Sequence, residues 1–509
     1  MRLLSRIRSN ERYLPLTLVI FSLCIGIYLI TTTLIIAKDG VTFIEYAKNL
    51  TVSPTSTILS QDQHPGYPFL ILTAHKITNI LHKGTSIRSW VYSAQSIALL
   101  FRLLTVVTMY FIGKVLVGTR TSFWAILLLI MLPKPAEYGS DALSDWPHMF
   151  FLSTGFLMLI LGAISRRWWL FGFAGLIAGM GYMIRPECAQ LVVYGFLWLV
   201  PQLLWVKRNL NRRRVMLALT LLLIGFLVSA GPYMKFKGAI FPKKHVGKFV
   251  SSFESYEFYK QKTEICSNNV NAANVLPPSI IRGLGKIVEN VGDTLMWFFL
   301  PFLPMGLYGC FRRQNWYAPE RFFIAAVIGL NVFLMLWLYC KFGYMSGRHT
   351  LPLVVFTIFY IPVGLQISAH RLAEKCSKQI NLLLSIKTNK QFWFSVLFIT
   401  GSCICISKLI RPLHYDKASY IMASEWLVKN TNEQDVIIVP DSRISFYAER
   451  KGVTNKEECP IDNVKYVVQM TKEPDDLKEG KEKPPAGMSK IWSSPINAKG
   501  GEIVIYTRK

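Results

Sequence analysis

Blocks of uncharged apolar residues dominate this chain, most of them about 17 to 24 residues long, enough to cross a hydrocarbon core roughly 30 Å thick as a helix. Eleven blocks lie near residues 15–37, 93–117, 121–133, 147–164, 168–184, 188–206, 215–235, 291–311, 321–340, 349–369 and 391–410. The third is short and borrows from its neighbours. Composition agrees: 52% of the 509 residues are hydrophobic and 17% charged. The fold class expected is mainly α, a polytopic membrane protein of about eleven transmembrane helices. The first block is too long for a signal-peptide core and has no small-residue cleavage site, so it reads as a retained helix.

A formal net charge of +27 raises the question of nucleic acid. The basic residues, however, cluster between apolar blocks, which points to topology and excludes a nucleic-acid partner. "MRLLSRIRSNER", the arginines at 166–167, "KRNLNRRR", the pair at 312–313 and the segment 370–390 fall on one side if eleven helices alternate. The positive-inside rule then puts the N-terminus in the cytoplasm and the C-terminus outside. Compact loops favour a bacterial inner membrane. Of nine cysteines, only Cys266 and Cys459 fall in long outer segments, either as a disulfide or as two free thiols.

Residues 1–410 read as the membrane domain, with outer loops at 38–92 and 236–290, and residues 411–509 as a small extracytoplasmic α/β domain. The first loop has the pattern of amphipathic helices lying along the membrane. In the tail, "DKASYIMASEWLVKN" has one apolar helical face, "DVIIVP" reads as a buried strand, and "SRISFYAERKG" as a short helix with a glycine stop. "VKYVVQM" and "EIVIYT" are further strands, and "KEPDDLKEGKEKPP" a mobile loop.

Charged outer motifs gather on one face. "AKDG" places Asp39 just beyond the first block, and "GSDALSDWPHMFF" places Asp141 and Asp145 before the fourth. "GYMIRPEC" carries Arg185 and Glu187 in a tight hairpin, and "GYMSGRHTLPL" carries Arg348 and His349. Singly, each has a plain structural explanation. The aspartates serve as helix caps or interface anchors, the arginines snorkel, and His64 in "DQHPGYPFLI" sits beside a proline turn. Together they suit chemistry on a lipid phosphate: carboxylates to activate a hydroxyl or hold a divalent cation, and guanidiniums to take phosphate charge bidentately.

The first-loop aspartate, "HPGYPFLI", "LSDWPHMFF", "GLIAGMGYMIRPE", "GRHTLPL" and the tail stretch "ASEWLVKNTNEQDVIIVPDSRISFYAER" together resemble the polytopic GT-C glycosyltransferases of the protein O-mannosyltransferase and lipid A aminoarabinose transferase type. The resemblance implies that Asp39 is a catalytic or metal-associated carboxylate and Asp145 its second-loop companion. It also implies that Arg185 and Arg348, with His349 beside them, bind the donor phosphate, and that His64, Glu187 and Asp141 are further candidates. Two positions depart from the pattern: Gly40 replaces a second acidic residue, and His349 a tyrosine. The implied donor is a polyprenyl-phosphate sugar, the acceptor a protein, lipid or glycan, and the cofactor a divalent cation, magnesium or manganese, on Asp39 and Asp145. Neither a GxxxxGK[ST] loop nor a Rossmann fingerprint is present, as suits a lipid-borne donor.

The activity expected is therefore inverting transfer of a monosaccharide on the extracytoplasmic face. The rival is a transporter or export component for an anionic glycan or lipid. It would need ionisable residues inside the spans, where Arg102 and Lys114 stand nearly alone, and no inverted repeat is visible.

Overall fold

The computed structural model describes residues 13–81, 86–204, 211–240, 279–312, 318–379, 389–454, 464–471, 485, 487–495 and 502–508. Every apolar block contributes a helix, and the helices differ in length. Among the described residues, seven are at least 18 residues long and apolar enough to cross a membrane, and an eighth arises if Gly347–Thr357 and Tyr360–Cys376, bent by 63°, form one span. The other apolar blocks fall on shorter or broken helices, so the expected polytopic, mainly α fold stands with some of its apolar helices below that length. α6 (Thr119–Met131) and α9 (Trp169–Tyr182) are shorter apolar helices. The block at 291–311 is broken: the Ile280–Thr294 helix ends, Met296 and Trp297 take left-handed φ angles of 58° and 56°, and helix resumes at Phe302–Arg312. Pro301 and Pro304 lie across this break, and a proline supplies no N–H to carry a helix through.

The bundle core interleaves α5 (Ile87–Val117), α6 and α8 (Asp145–Ser165) around Met109, Leu129, Phe156 and Phe359. Arg102, 1% exposed in α5, donates to the Ile130 carbonyl at 3.1 Å. It thus ties down the C-terminal end of α6.

The first outer loop folds as α2 (Lys38–Val52), α3 (Pro54–Ser60) and α4 (Gly66–Leu81). Their apolar faces meet the start of α5 in a cluster containing Val41, Ile44, Tyr67, Ile71, Trp90 and Ala94. This loop therefore has a core of its own, to which Phe446 of the tail is added.

The tail forms a five-stranded sheet ordered β2-β1-β3-β5-β4, from β1 (Val436–Ile438), β2 (Lys451–Val453), β3 (Tyr466–Thr471), β4 (Met488–Ser493) and β5 (Glu502–Arg508). β1 runs parallel to β2 and β3, and β5 antiparallel to β3 and β4. The helix Ser442–Ala448 ends at Glu449, in a left-handed conformation at φ 54°, not at a glycine. Gly452, expected as its stop, sits inside β2. Ile35, just past the first span, is fully buried in the tail core with Ala423, Leu427 and Ile444. The possible Cys266–Cys459 pair, most of the middle loop and residues 472–484 of the expected mobile loop lie outside the described residues.

Candidate active site

Four separated chain segments deliver four charges to one point. Asp39 is the second residue of α2 and Asp145 the first of α8, places where helix N-termini favour a carboxylate. Arg185 precedes Pro186, which forces an extended backbone (φ −147°, ψ 134°). Arg348 lies in the short 3-10 turn Gly347–Thr350, fixed by a capping box of Ser346 and His349.

Asp145, 1% exposed, holds both arginines. Its Oδ1 accepts from Arg185 Nη1 at 2.9 Å, and its Oδ2 from Arg348 Nε at 3.0 Å and Nη2 at 2.7 Å. Arg185 Nε also donates to Ser144 Oγ at 3.0 Å. The remaining terminal nitrogen of Arg348, Nη1, reaches Asp39 Oδ2 at 2.5 Å. The two carboxylates differ sharply, for the Asp39 side chain is 56% exposed and that of Asp145 is 1% exposed. Asp145 thus anchors the guanidiniums from below while Asp39 closes them from the solvent side.

Asp141 serves a different contact. Also 1% exposed, it accepts the Ala37 N–H at 3.0 and 3.1 Å, its neighbour's Ala142 N–H at 2.7 Å, and His414 Nε2 at 3.0 Å. It joins the start of α2, the second outer loop and the entry to the tail. Tyr447 of the tail adds a bond to the Ile36 N–H at 3.2 Å.

Gly40 has a steric cause. A Cβ there would meet the Ala142 Cβ at 2.8 Å and the Ala142 carbonyl oxygen at 2.9 Å, so no side chain, acidic or otherwise, fits without moving the second loop. His64 is not with the arginines: it is 2% exposed, with its ring 5.0 Å from that of Tyr182 and 5.3 Å from that of Tyr233. Its turn still touches the site's frame, since the Gly66 N–H donates to the Met183 carbonyl at 2.8 Å, two residues before Arg185. Glu187 and His349 are exposed, and both lie within electrostatic reach of the cluster. His349 spends its Nδ1 on the Ser346 N–H at 3.2 Å.

Sequence reasoning missed Ser144, Tyr138, Lys134 and His414. Gly347 faces the Tyr138 hydroxyl and Lys134 Nζ, which would lie 3.7 and 3.9 Å from a Cβ there. Burial, with Glu137 and Asp145 nearby, pushes the Tyr138 hydroxyl well above its ordinary pKa, so it stays a donor at neutral pH. Lys134 is paired with Asp293 at 3.3 Å. A signal existed for these: "PKPAEYGSDALS" is a polar run between two apolar helices, and His414 follows the last span directly.

The donor set does not suit a divalent ion as arranged. Both oxygens of Asp145 are committed to guanidiniums, Arg348 separates it from Asp39, and among the described residues no three His, Cys, Asp or Glu side chains come together to hold a metal.

Residues 65–230 match the family model described as dolichyl-phosphate-mannose-protein mannosyltransferase. Among solved structures, ArnT from Cupriavidus metallidurans bound to undecaprenyl phosphate is similar, at TM-score 0.58 and 13% identity, covering 96% of this chain and 97% of that one. The Archaeoglobus fulgidus oligosaccharyltransferase in its apo form is similar at TM-score 0.56 and 13% identity, covering 91% and 70%. The same oligosaccharyltransferase was also solved with zinc and sulfate, at TM-score 0.54 and 13% identity, covering 89% of this chain and 67% of that one. No curated protein sequence gives a significant match. The fold is that of the GT-C glycosyltransferases, as the sequence resemblance implied, and the chain is an integral membrane protein.

Proposed function

We propose that this protein transfers a monosaccharide from a polyprenyl-phosphate donor to an acceptor hydroxyl at the face bearing Asp39, with inversion at the anomeric carbon. The observation that carries the reading is the pairing of Arg185 and Arg348 on one buried carboxylate, Asp145, with the open carboxylate of Asp39 at its rim. A guanidinium pair held in this way is preorganised for an anion, because the cost of fixing the side chains is met by folding.

The two contacts of Arg348 suggest the order of events. A lipid phosphate entering from the bilayer competes for Nη1 with Asp39, the exposed partner held by one bond, and leaves the doubly bonded, buried Asp145 in place. Asp39 is thereby released to accept the acceptor's proton. The acceptor oxygen bonds to the anomeric carbon, the bond from that carbon to the phosphate oxygen breaks, and the phosphate leaves on the carrier with its charge against Arg185 and Arg348. Tyr138 is placed to donate a hydrogen bond at this point. No step here runs through a metal ion. The donor's tail remains in the bilayer, which suits a site at the helix ends. We place the protein in a bacterial inner membrane, N-terminus cytoplasmic, with a protein, lipid or glycan as acceptor.

The test is incubation of the purified protein with a panel of polyprenyl-phosphate sugars, with and without chelator, and mass spectrometry of the released carrier. At least one donor is expected to yield free polyprenyl phosphate, chelated or not. If every donor returns intact, the enzyme reading fails.

A further inference from the structure

At the end of the bundle opposite Asp145, α6 and the helices Phe302–Arg312, Tyr360–Gln379 and Lys390–Leu409 line a half-open cavity of about 940 Å³. Its wall is graded in the same sense on all four. Four permanent cations line it, one from each helix: Arg120, Arg312 and Lys390 at helix ends and Arg371 two turns before the end of its helix. One turn deeper, the same helices present Trp124, Tyr308, Ile367 and Phe394, with Gln366 and Ser395 beside them. The Arg312 guanidinium lies over the Tyr308 ring, 5.7 Å from its centroid. The carboxylate at this rim, Glu374, is engaged with His370 at 3.3 Å. Among the described residues, none of the four cations is in a salt bridge.

A cationic rim above an apolar wall is the complement of an amphiphile with an anionic head. Snorkelling alone would spread the cations around the bundle, whereas here four helices aim them at one cavity. One phosphodiester would leave most of that charge unanswered; a headgroup with two phosphates matches it better. We propose that this cavity binds a diphosphatidylglycerol-type phospholipid of the leaflet opposite the transfer site. Its two phosphates rest among Arg120, Arg312, Arg371 and Lys390, and its acyl chains lie against Trp124, Tyr308 and Phe394. Bound there, it clamps four helices at their ends away from the transfer site.

Native mass spectrometry of the whole detergent-purified protein tests this, with tetraoleoyl diphosphatidylglycerol, dioleoyl phosphatidylglycerol, dioleoyl phosphatidylcholine and undecaprenyl phosphate as probes. Diphosphatidylglycerol should bind tightest. At about fivefold per cation, K390Q weakens it by roughly fivefold and the R312Q/R371Q double variant by roughly 25-fold, while D39N leaves it unchanged. Both rim variants change exposed side chains, and size-exclusion elution checks that they fold. Equal retention of phosphatidylcholine, or unaltered binding by both variants, overturns the proposal. So does preferential capture of undecaprenyl phosphate lost on R312Q/R371Q, which would make the cavity a carrier site.

Discussion

Replacing Asp145 and Asp39 in turn by asparagine separates the frame of the site from its chemistry. Asp145→Asn keeps the shape but removes the charge that holds two guanidiniums at 2.7 to 3.0 Å, and turns N–H donors toward one of them. Breaking a buried pair costs about 3–5 kcal/mol. The arginine side chains here are 20% and 21% exposed, so water screens part of the loss. About 2–4 kcal/mol remains. Asp39→Asn removes one contact from a side chain that is 56% exposed, which is worth about 0–1 kcal/mol. Thermal unfolding in detergent should therefore rank wild type close to Asp39→Asn and well above Asp145→Asn. Carrier release should show a different pattern, with Asp39→Asn slower by about 10²–10⁴ although folded, as expected on loss of a general base. If Asp39→Asn keeps its rate within a factor of ten, the proton acceptor is another group. If Asp145→Asn is no less stable than Asp39→Asn, the buried carboxylate is not the anchor described above.

Three further outcomes are expected. Asp141→Ala strands the Ala37 N–H and His414, at about 1.5–3 kcal/mol per bond to the lost charge, and limited proteolysis should then cut near residues 411–417 faster than in the wild type. Gly40→Asp drives a side chain into Ala142, so it should lower folded yield, and added magnesium or manganese should not restore activity. Glu137 is shifted above its ordinary value near 4.5, first by burial and then by Asp141, against the pull of His414. The folded state therefore holds this proton more tightly than the unfolded chain does. The stability it contributes is intact below pH 4.5 and declines as pH rises toward the folded value. Glu137→Gln should accordingly raise the unfolding midpoint at pH 7 and have little effect at pH 4.

Sidedness was written in the sequence. Asp39, Asp145, Arg185 and Arg348 stand at the ends of apolar blocks, and alternate crossing of the bilayer by successive blocks brings those ends to one face. Strand and helix patterns in the tail were legible for the same reason, because periodicity is local. Span length was less legible, since composition does not show that prolines and left-handed residues break the block at 291–311. The motif "LSDWPHMFF" favoured Asp145 over Asp141, four residues earlier, but the partners of the two could not be read from it. Asp141 clamps backbone and tail, and Asp145 holds two arginines. Nor could the sequence show that His64 packs among tyrosines or why position 40 excludes a side chain. These depend on helix rotation and on loops meeting from far apart in the chain, as Arg348 meets Asp39 across 309 residues. Burial then decides the rest: two aspartates of identical chemistry differ because one is sealed beneath arginines and the other faces water.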